Sequence, residues 1–268
     1  MTFTDAKQRF STRVADYVRY RPGYPSALID QLRTECSMRR NSVIADIGSG
    51  TGLLSKLFLE NGNKVFGVEP NAEMRVAGED CLRSFPNFTS IDGSAEATTL
   101  PAGSVDFAAA GQAFHWFEPH AARAEFARIL KPKGWVVIVW NERRVDTPFA
   151  RDYESLLQRY GRDYERVRES YPEPRKIQDF FGNDRFLERS LPNAQFLKRP
   201  GLAGRFSSSS YAPQEGDPTF SSAIAELGRL FEAHEEHGRI SMEYLTHIYI
   251  GRFDLTDNPK ASTSRNRA

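Results

Sequence analysis

The sequence predicts an α/β fold: a seven-stranded, mostly parallel sheet with helices on both faces, plus one helical cap at the N-terminus and another after the fifth strand. Three observations predict it. Short apolar runs alternate with amphipathic stretches through the first half of the chain, the rhythm of repeated strand-helix units. The runs are almost continuously apolar, as strands buried on both faces require. The stretches between them close on Gly or Pro, the residues that stop helices.

Residues 1–40 stand ahead of the sheet and carry YVRYRPGYP, with three tyrosines and two arginines, before a helix from about Ser26. Residues 41–145 are the expected core. There, SVIADIG, KVFGVEP, FTSIDG, VDFAAAGQAF and WVVIVWNE read as five strands, and TGLLSKLFLENG, AEMRVAGEDCLRSF and HAARAEFARILKPKG as the helices among them. Residues 146–190 form a charged helical insertion, the second cap. Residues 191–256 complete the sheet with NAQFLKR and EYLTHIYIGRF, separated by SSSSYAP and a helix from about Thr219 to Gly238. The polar, breaker-rich end, residues 257–268, reads as a frayed tail.

A chain of 268 residues with 40% hydrophobic and 26% charged residues builds one sizeable core with an elaboration, and excludes disordered and collagen-like classes. No internal repeat is visible. A net charge of +1 gives no broad field for a polyanion, so no nucleic-acid partner is expected. Cys36 and Cys81 lack CxxC spacing and make neither a disulfide framework nor a zinc site. The opening residues lack the apolar run of an export signal and no later run approaches a membrane span. A cytoplasmic location, no membrane partner, and a monomer or homodimer are the expectation.

Chemistry enters at DIGSGTG. Gly48, Gly50 and Gly52 turn the chain sharply out of the first strand and leave backbone bare beside the start of a helix near Leu53, where a ligand can approach without Cβ obstruction. A tight turn alone is the bland alternative. A dinucleotide site prefers GxGxxG, but the third-glycine position here is Leu53 and the spacing is GxGxG. Glu69 ends the second strand 21 positions after Gly48, where an acid accepts bonds from ribose hydroxyls in folds of this kind.

In this order, ADIGSGTG, GVEPNAEM, GSAEATTLP, SVDFAAAGQAFHWF and ILKPKGWVVIVW resemble the successive motifs of class I S-adenosylmethionine-dependent methyltransferases. YRPGYP and AFHWF are similar to the small-molecule enzymes grouped around trans-aconitate methyltransferase, within methyltransferase type 11. The likeness covers roughly residues 40–142 and extends more weakly to both ends. It implies a Rossmann-like sheet and S-adenosylmethionine as cofactor, with S-adenosylhomocysteine as product. It places Asp46, Gly48, Ser49, Gly50, Thr51 and Gly52 beside the methionine part and ribose, and Glu69 on the ribose hydroxyls. Asn71 and Met74 are implied to lie beside the adenine, with Ser94, Ala95 and Glu96; Ser94 stands where members carry an acid, and Asp92 lies two positions earlier. Gly111 and Gln112 are implied near the transferred methyl, with Tyr20 and Arg21 covering the cofactor.

Methyl transfer from a sulfonium needs an aligned nucleophile and exclusion of water, and requires no metal. Phe114, Trp116 and Phe117, with Tyr17, Tyr20 and Tyr24 ahead of the core, are material for a dry lid, or simply for the core. His115 follows the fourth strand and reads as a base or an orienting donor, or as a packed histidine; it and Gln112 are the catalytic candidates. An ionised carboxylate acceptor needs no base. Tyr24, His115, Trp116 and Arg143 are the substrate-side candidates. Arg21, Arg143 and Arg144 are guanidiniums suited to a carboxylate; a solvated surface role is the first reading for Arg143 and Arg144, which leaves Arg21 as the candidate for a carboxylate of the substrate or of the cofactor. His234 and His237 have helical metal spacing with no third ligand evident, so no metal is expected. Tyr211, Tyr244 and Tyr249 either reach the pocket or pack the last strands.

The expected function is methylation of a small-molecule acceptor at a carboxylate or hydroxyl oxygen. A nicotinamide-dependent oxidoreductase on a similar sheet is the first alternative, and a non-catalytic S-adenosylmethionine-binding protein the second. AGQAFHWF stands where enzymes acting on base amino groups carry an Asn- or Asp-Pro-Pro-aromatic tetrad, which disfavours that chemistry.

Overall fold

The structure, a computed structural model, describes residues 14–164, 174–182 and 186–253. The expected tail at 257–268 lies outside them, as do parts of both caps.

Ahead of the sheet stand α1 (Val14–Tyr20) and α2 (Ala27–Cys36). The core then runs β1 (Val43–Ile47), α3 (Leu53–Glu60), β2 (Lys64–Val68), α4 (Ala72–Leu82), β3 (Phe88–Ile91), β4 (Val105–Gly111), α5 (Pro119–Ile129) and β5 (Leu130–Arg143). The cap contributes α6 (Pro148–Tyr160) and α7 (Pro174–Phe181); β6 (Phe186–Leu197), α8 (Arg199–Ser207), α9 (Phe220–His234) and β7 (Ile240–Gly251) follow.

These strands form one sheet in the order β3-β2-β1-β4-β5-β7-β6. Strands β3, β2, β1, β4 and β5 are parallel, whereas β7 runs antiparallel to both β5 and β6. The period of two along each strand divides its side chains between two cores. Ile44, Phe107, Ala109, Val137 and Val139 pack with α2 and α3 on one face. Ala45, Ala108, Val136 and Ile138 pack with Phe126 and Phe180 on the other. A third cluster joins α6, α8, α9 and β7 through Tyr153, Leu157, Phe206, Leu227 and Tyr244. Strand order reverses between β1 and β4, and ligands bind in the crevice beyond the carboxyl ends of strands at such a reversal.

Four boundaries differ from expectation. Strand β6 begins at Phe186, inside the segment expected as helical cap; it is an edge strand, where Pro192 is tolerated because its outer edge pairs with no strand among the described residues. Helix α8, between NAQFLKR and SSSSYAP, was not among the expected elements; Pro200 lies in its first turn, which suits a helix start. Helix α9 stops at His234, short of Gly238. The KPKG segment lies inside β5 and not at the end of α5. Among the described residues, no helix is long and apolar enough to cross a membrane.

Candidate active site

The predicted ligand-binding residues gather at the carboxyl ends of β1, β2 and β4, and the glycine loop shows why it is glycine. Gly48, Gly50 and Gly52 take φ of 69°, 55° and 84°, a left-handed region that costs other residues about 1–2 kcal/mol each. A Cβ at Gly48 would stand 2.6 Å from Ala113 Cβ, and one at Gly52 2.5 Å from Leu82 Cδ1. The loop is therefore pressed between the β4–α5 connection and α4, with α3 starting at Leu53. Ser49 lies within it, and its backbone N–H and that of Gly48 donate to the Val68 carbonyl at 3.1 and 2.8 Å, which ties the loop to β2.

Asp46 and Glu69 are the two acids of this crevice. The Asp46 carboxylate is fully buried at the end of β1, and one oxygen accepts from Ser55 Oγ at 2.6 Å. Its other oxygen, Oδ1, has no partner among the described residues, and neither does the buried Thr51 hydroxyl. Burial pushes the Asp46 pKa up to about 7, against the Ser55 bonds and with help from the Glu69 charge. Glu69 accepts from Gly50 N–H at 3.0 Å and from Asn71 N–H at 2.8 Å, so one side chain spans the glycine loop and the entrance of α4. Asn71 caps that helix through Glu73 and Met74 N–H, and Met74 Cε lies 3.3 Å from where a Gly50 Cβ would stand.

Beyond β3, Ser94 Oγ accepts from Glu96 N–H at 3.3 Å and Ala95 is buried. Glu96 accepts from Glu118 N–H at 2.9 Å, tying the turn to the start of α5. Asp92 pairs with Arg75 at 3.2 Å on the surface.

At the end of β4, a Cβ on Gly111 would stand 2.5 Å from the Tyr24 hydroxyl, which sets that phenol directly over the strand end. Gln112 has φ of 54°, unusual for a side-chain-bearing residue, and its amide oxygen accepts from Asn141 N–H. His115 sits in a short 3₁₀ turn, Phe114–Trp116, with ring centroids 4.3 Å from Trp116 and 5.1 Å from Trp140. Its Nδ1 is buried without a partner among the described residues. Burial, and then Lys176, lower its pKa to about 4, so the ring is neutral near pH 7. Trp116 is 36% exposed, while Phe114 packs into the core against Phe180 and Phe117.

The N-terminal segment is strapped over this end of the sheet. Tyr20 leans on Gly204, where a Cβ would stand 2.0 Å from its ring, and Gln195 donates to the Tyr20 carbonyl at 2.8 Å. Asn141 and Asn193 both donate to the Gly23 carbonyl, at 3.1 and 2.9 Å. Arg21 lies over the Tyr17 ring at 4.8 Å and donates to the Ser208 carbonyl at 3.0 Å. Arg143 turns into the cap, where it pairs with Glu154 and donates to the Tyr164 hydroxyl at 3.0 Å. Arg144 is a surface residue beside Asp146 and Glu243. His234 bonds Asp152 at 2.6 Å, and His237 takes φ of 53° beyond the helix; Tyr244 is buried in the cap cluster. Sequence reasoning missed Ser55, Asn141 and Arg205. Asn141 left a signal as an amide at the end of an apolar strand, whereas Ser55 and Arg205 look like any helical residues.

The site fits S-adenosylmethionine: a left-handed bare loop, an acid bonded to that loop, and a buried carboxylate oxygen without a partner among the described residues. The methyltransferase domain family matches residues 45–138. An uncharacterized methyltransferase of Mycobacterium tuberculosis is 36% identical over 171 residues, which are 63% of this chain and 67% of the relative. An uncharacterized methyltransferase of Schizosaccharomyces pombe is 36% identical over 152 residues, 56% of this chain; the match spans 59% of that relative's length. A solved protein of Anaeromyxobacter dehalogenans, assigned provisionally to the type II methyltransferases, superposes with a TM-score of 0.67 at 25% identity, covering 87% of this chain and 98% of that one. The YcgJ protein of Bacillus subtilis shares the fold, with a TM-score of 0.52 at 17% identity over 84% of this chain and 98% of its own. With sheet order, glycine loop, acid spacing and relatives in agreement, the chain belongs to the class I S-adenosylmethionine-dependent methyltransferases.

Proposed function

We propose that the protein methylates a small-molecule acceptor, at a carboxylate or hydroxyl oxygen, by direct in-line transfer. The observation that supports this best is the convergence of the unmet Asp46 oxygen, the left-handed glycine loop, Glu69 and the Tyr24–Gly111 contact at one strand-order reversal. S-adenosylmethionine supplies an activated methyl on a sulfonium, so the chain's own work is binding, alignment and exclusion of water.

In this reading Asp46 faces the cofactor's cationic methionine part, and Ser49, Thr51 and the three loop glycines line the methionine and ribose. Glu69 takes the ribose hydroxyls. Asn71, Met74, Ser94, Ala95 and Glu96 border the adenine, and Arg21 and Tyr20 close over the cofactor. Gly111 keeps the end of β4 bare where the methyl is delivered, and Gln112, clamped to Asn141, fixes the turn toward His115. Tyr24, His115 and Trp116 face the acceptor. A histidine held near pKa 4 is a poor proton store at pH 7 but a steady neutral hydrogen-bonding group, which suits orienting an acceptor that is already ionised. Arg143, held by Glu154, shapes the acceptor side from the cap.

Calorimetric titration with S-adenosylmethionine, S-adenosylhomocysteine and NADH in parallel tests the reading, followed by a screen of small carboxylic acids and phenols. The first two are expected to bind and NADH to be silent. Binding of NADH alone overturns the proposal, and cofactor binding without turnover of any acceptor leaves a binding protein. His115→Ala is expected to lower turnover at least tenfold with cofactor affinity nearly intact; loss of affinity instead moves His115 to the cofactor side.

A further inference from the structure

The cap cluster holds more buried cations than anions. Arg205 on α8 is 6% exposed and donates to the Tyr244 hydroxyl at 3.3 Å and the Ser209 hydroxyl at 3.0 Å, both neutral groups. Its electrostatic neighbours are the phenols of Tyr153, Tyr211 and Tyr244. Arg21 stands on the same side; burial first and the like charge of Arg205 second hold its pKa below the ordinary value. Arg143 completes the set and is paired with Glu154. Among the described residues, these three guanidiniums meet that single carboxylate.

Three donors here are unmet. Arg21 Nε, Arg143 Nη1 and the Tyr153 hydroxyl are buried without hydrogen-bond partners among the described residues, and Tyr153 is 1% exposed. Uncompensated buried charge and unsatisfied buried donors each cost stability, and a single species relieves both: an oxyanion, which brings negative charge and only acceptor atoms.

The cluster also continues into the crevice. Tyr24, over the bare end of β4, has Tyr17, Asp46 and Arg21 as its electrostatic neighbours. Arg21 thus acts electrostatically on the crevice side, at Tyr24, and is itself acted on by Arg205.

We infer that Arg205, with Tyr153 and the free faces of Arg21 and Arg143, forms a subsite for an oxyanion carried by the methyl acceptor. The placement beside the acceptor rests on the methyltransferase reading. A carboxylate and a phosphate share the recognised chemistry, with the planar guanidinium able to take either through two parallel bonds. Arg205 is then a specificity-determining residue: it selects anionic acceptors and holds the group away from the reacting atom.

The test uses the full chain saturated with S-adenosylhomocysteine and titrated with sodium succinate or inorganic phosphate, against sodium chloride at equal ionic strength, by calorimetry and thermal unfolding. One of the two anions is expected to bind and raise the unfolding temperature beyond chloride, and which one does so separates carboxylate from phosphate. Arg205→Met is expected to weaken that anion at least tenfold, leave S-adenosylhomocysteine affinity within twofold, and unfold no earlier than the wild type when no anion is present. Tyr153→Phe, which removes only the unmet hydroxyl, is expected to weaken the anion about threefold and carries the test if Arg205→Met does not fold. The inference is overturned if neither anion exceeds chloride, if the anion binds both variants as tightly as the wild type, or if Arg205→Met loses S-adenosylhomocysteine instead. A wild type that binds no S-adenosylhomocysteine refutes the methyltransferase reading separately, since anion binding is still measurable without it.

Discussion

Glu69 and Asp46 sit within one crevice and yet stand in opposite situations. The Glu69 oxygens are held by two backbone N–H groups, which keep its carboxylate oriented. Glu69→Ala is expected to weaken S-adenosylhomocysteine at least tenfold, since a lost charge-assisted bond costs about 1.5–3 kcal/mol; unchanged affinity by calorimetry removes the ribose assignment. Asp46 has a pKa raised to about 7, so the apo protein holds a proton there through the range between the unfolded carboxyl value, about 4, and 7. Because the folded state holds that proton, this acid favours folding most at low pH, and the contribution is lost as pH rises through 7. A cationic ligand favours the ionised form, so cofactor binding at pH 6 is expected to release close to one proton, falling toward none at pH 8. Titrations in buffers of different ionisation enthalpy measure it, and equal proton release at both pH values removes Asp46 from the cationic end of the ligand.

At the scale of elements, the loop between β1 and α3 was legible because its backbone demands glycine, and glycine at alternate positions is visible in a sequence. The same logic hid α8: Gly204 is there because the Tyr20 ring occupies the space of its Cβ, a requirement set by a helix far away in the chain. Gly204→Ala is expected to displace α1 and loosen the cofactor by about tenfold, with the sheet intact. Calorimetry and thermal unfolding check this together, and a variant that binds normally shows that the strap does not close the site. Edge position likewise hid the start of β6. Its polar, half-exposed residues lack the apolar continuity that marks the inner strands.

Across the whole molecule, the N-terminal segment is tied to β5 and β6 over the carboxyl ends of the strands, so under the proposed function occupancy couples the cap to the sheet. S-adenosylhomocysteine at about 100 times its dissociation constant is expected to stabilise the fold by about 2.7 kcal/mol, raising the unfolding temperature by about 5–10 °C for a chain of this size. NADH at the same concentration is expected to leave it unchanged, and an equal shift from NADH contradicts the cofactor assignment.

The sequence by itself determined the parallel core, the glycine loop, the acid at the end of β2 and the cofactor class. Those features arise from local rules: periodic burial, left-handed backbone, and a fixed distance along the chain from one strand end to the next. Only the tertiary structure decided which arginines are buried and what they face. Arg143 and Arg205 look alike in the sequence, yet one is given Glu154 and the other only neutral hydroxyls. That difference depends on how α6, α8 and β7 pack against one another, contacts between segments up to about a hundred residues apart, and no local pattern of residues records it.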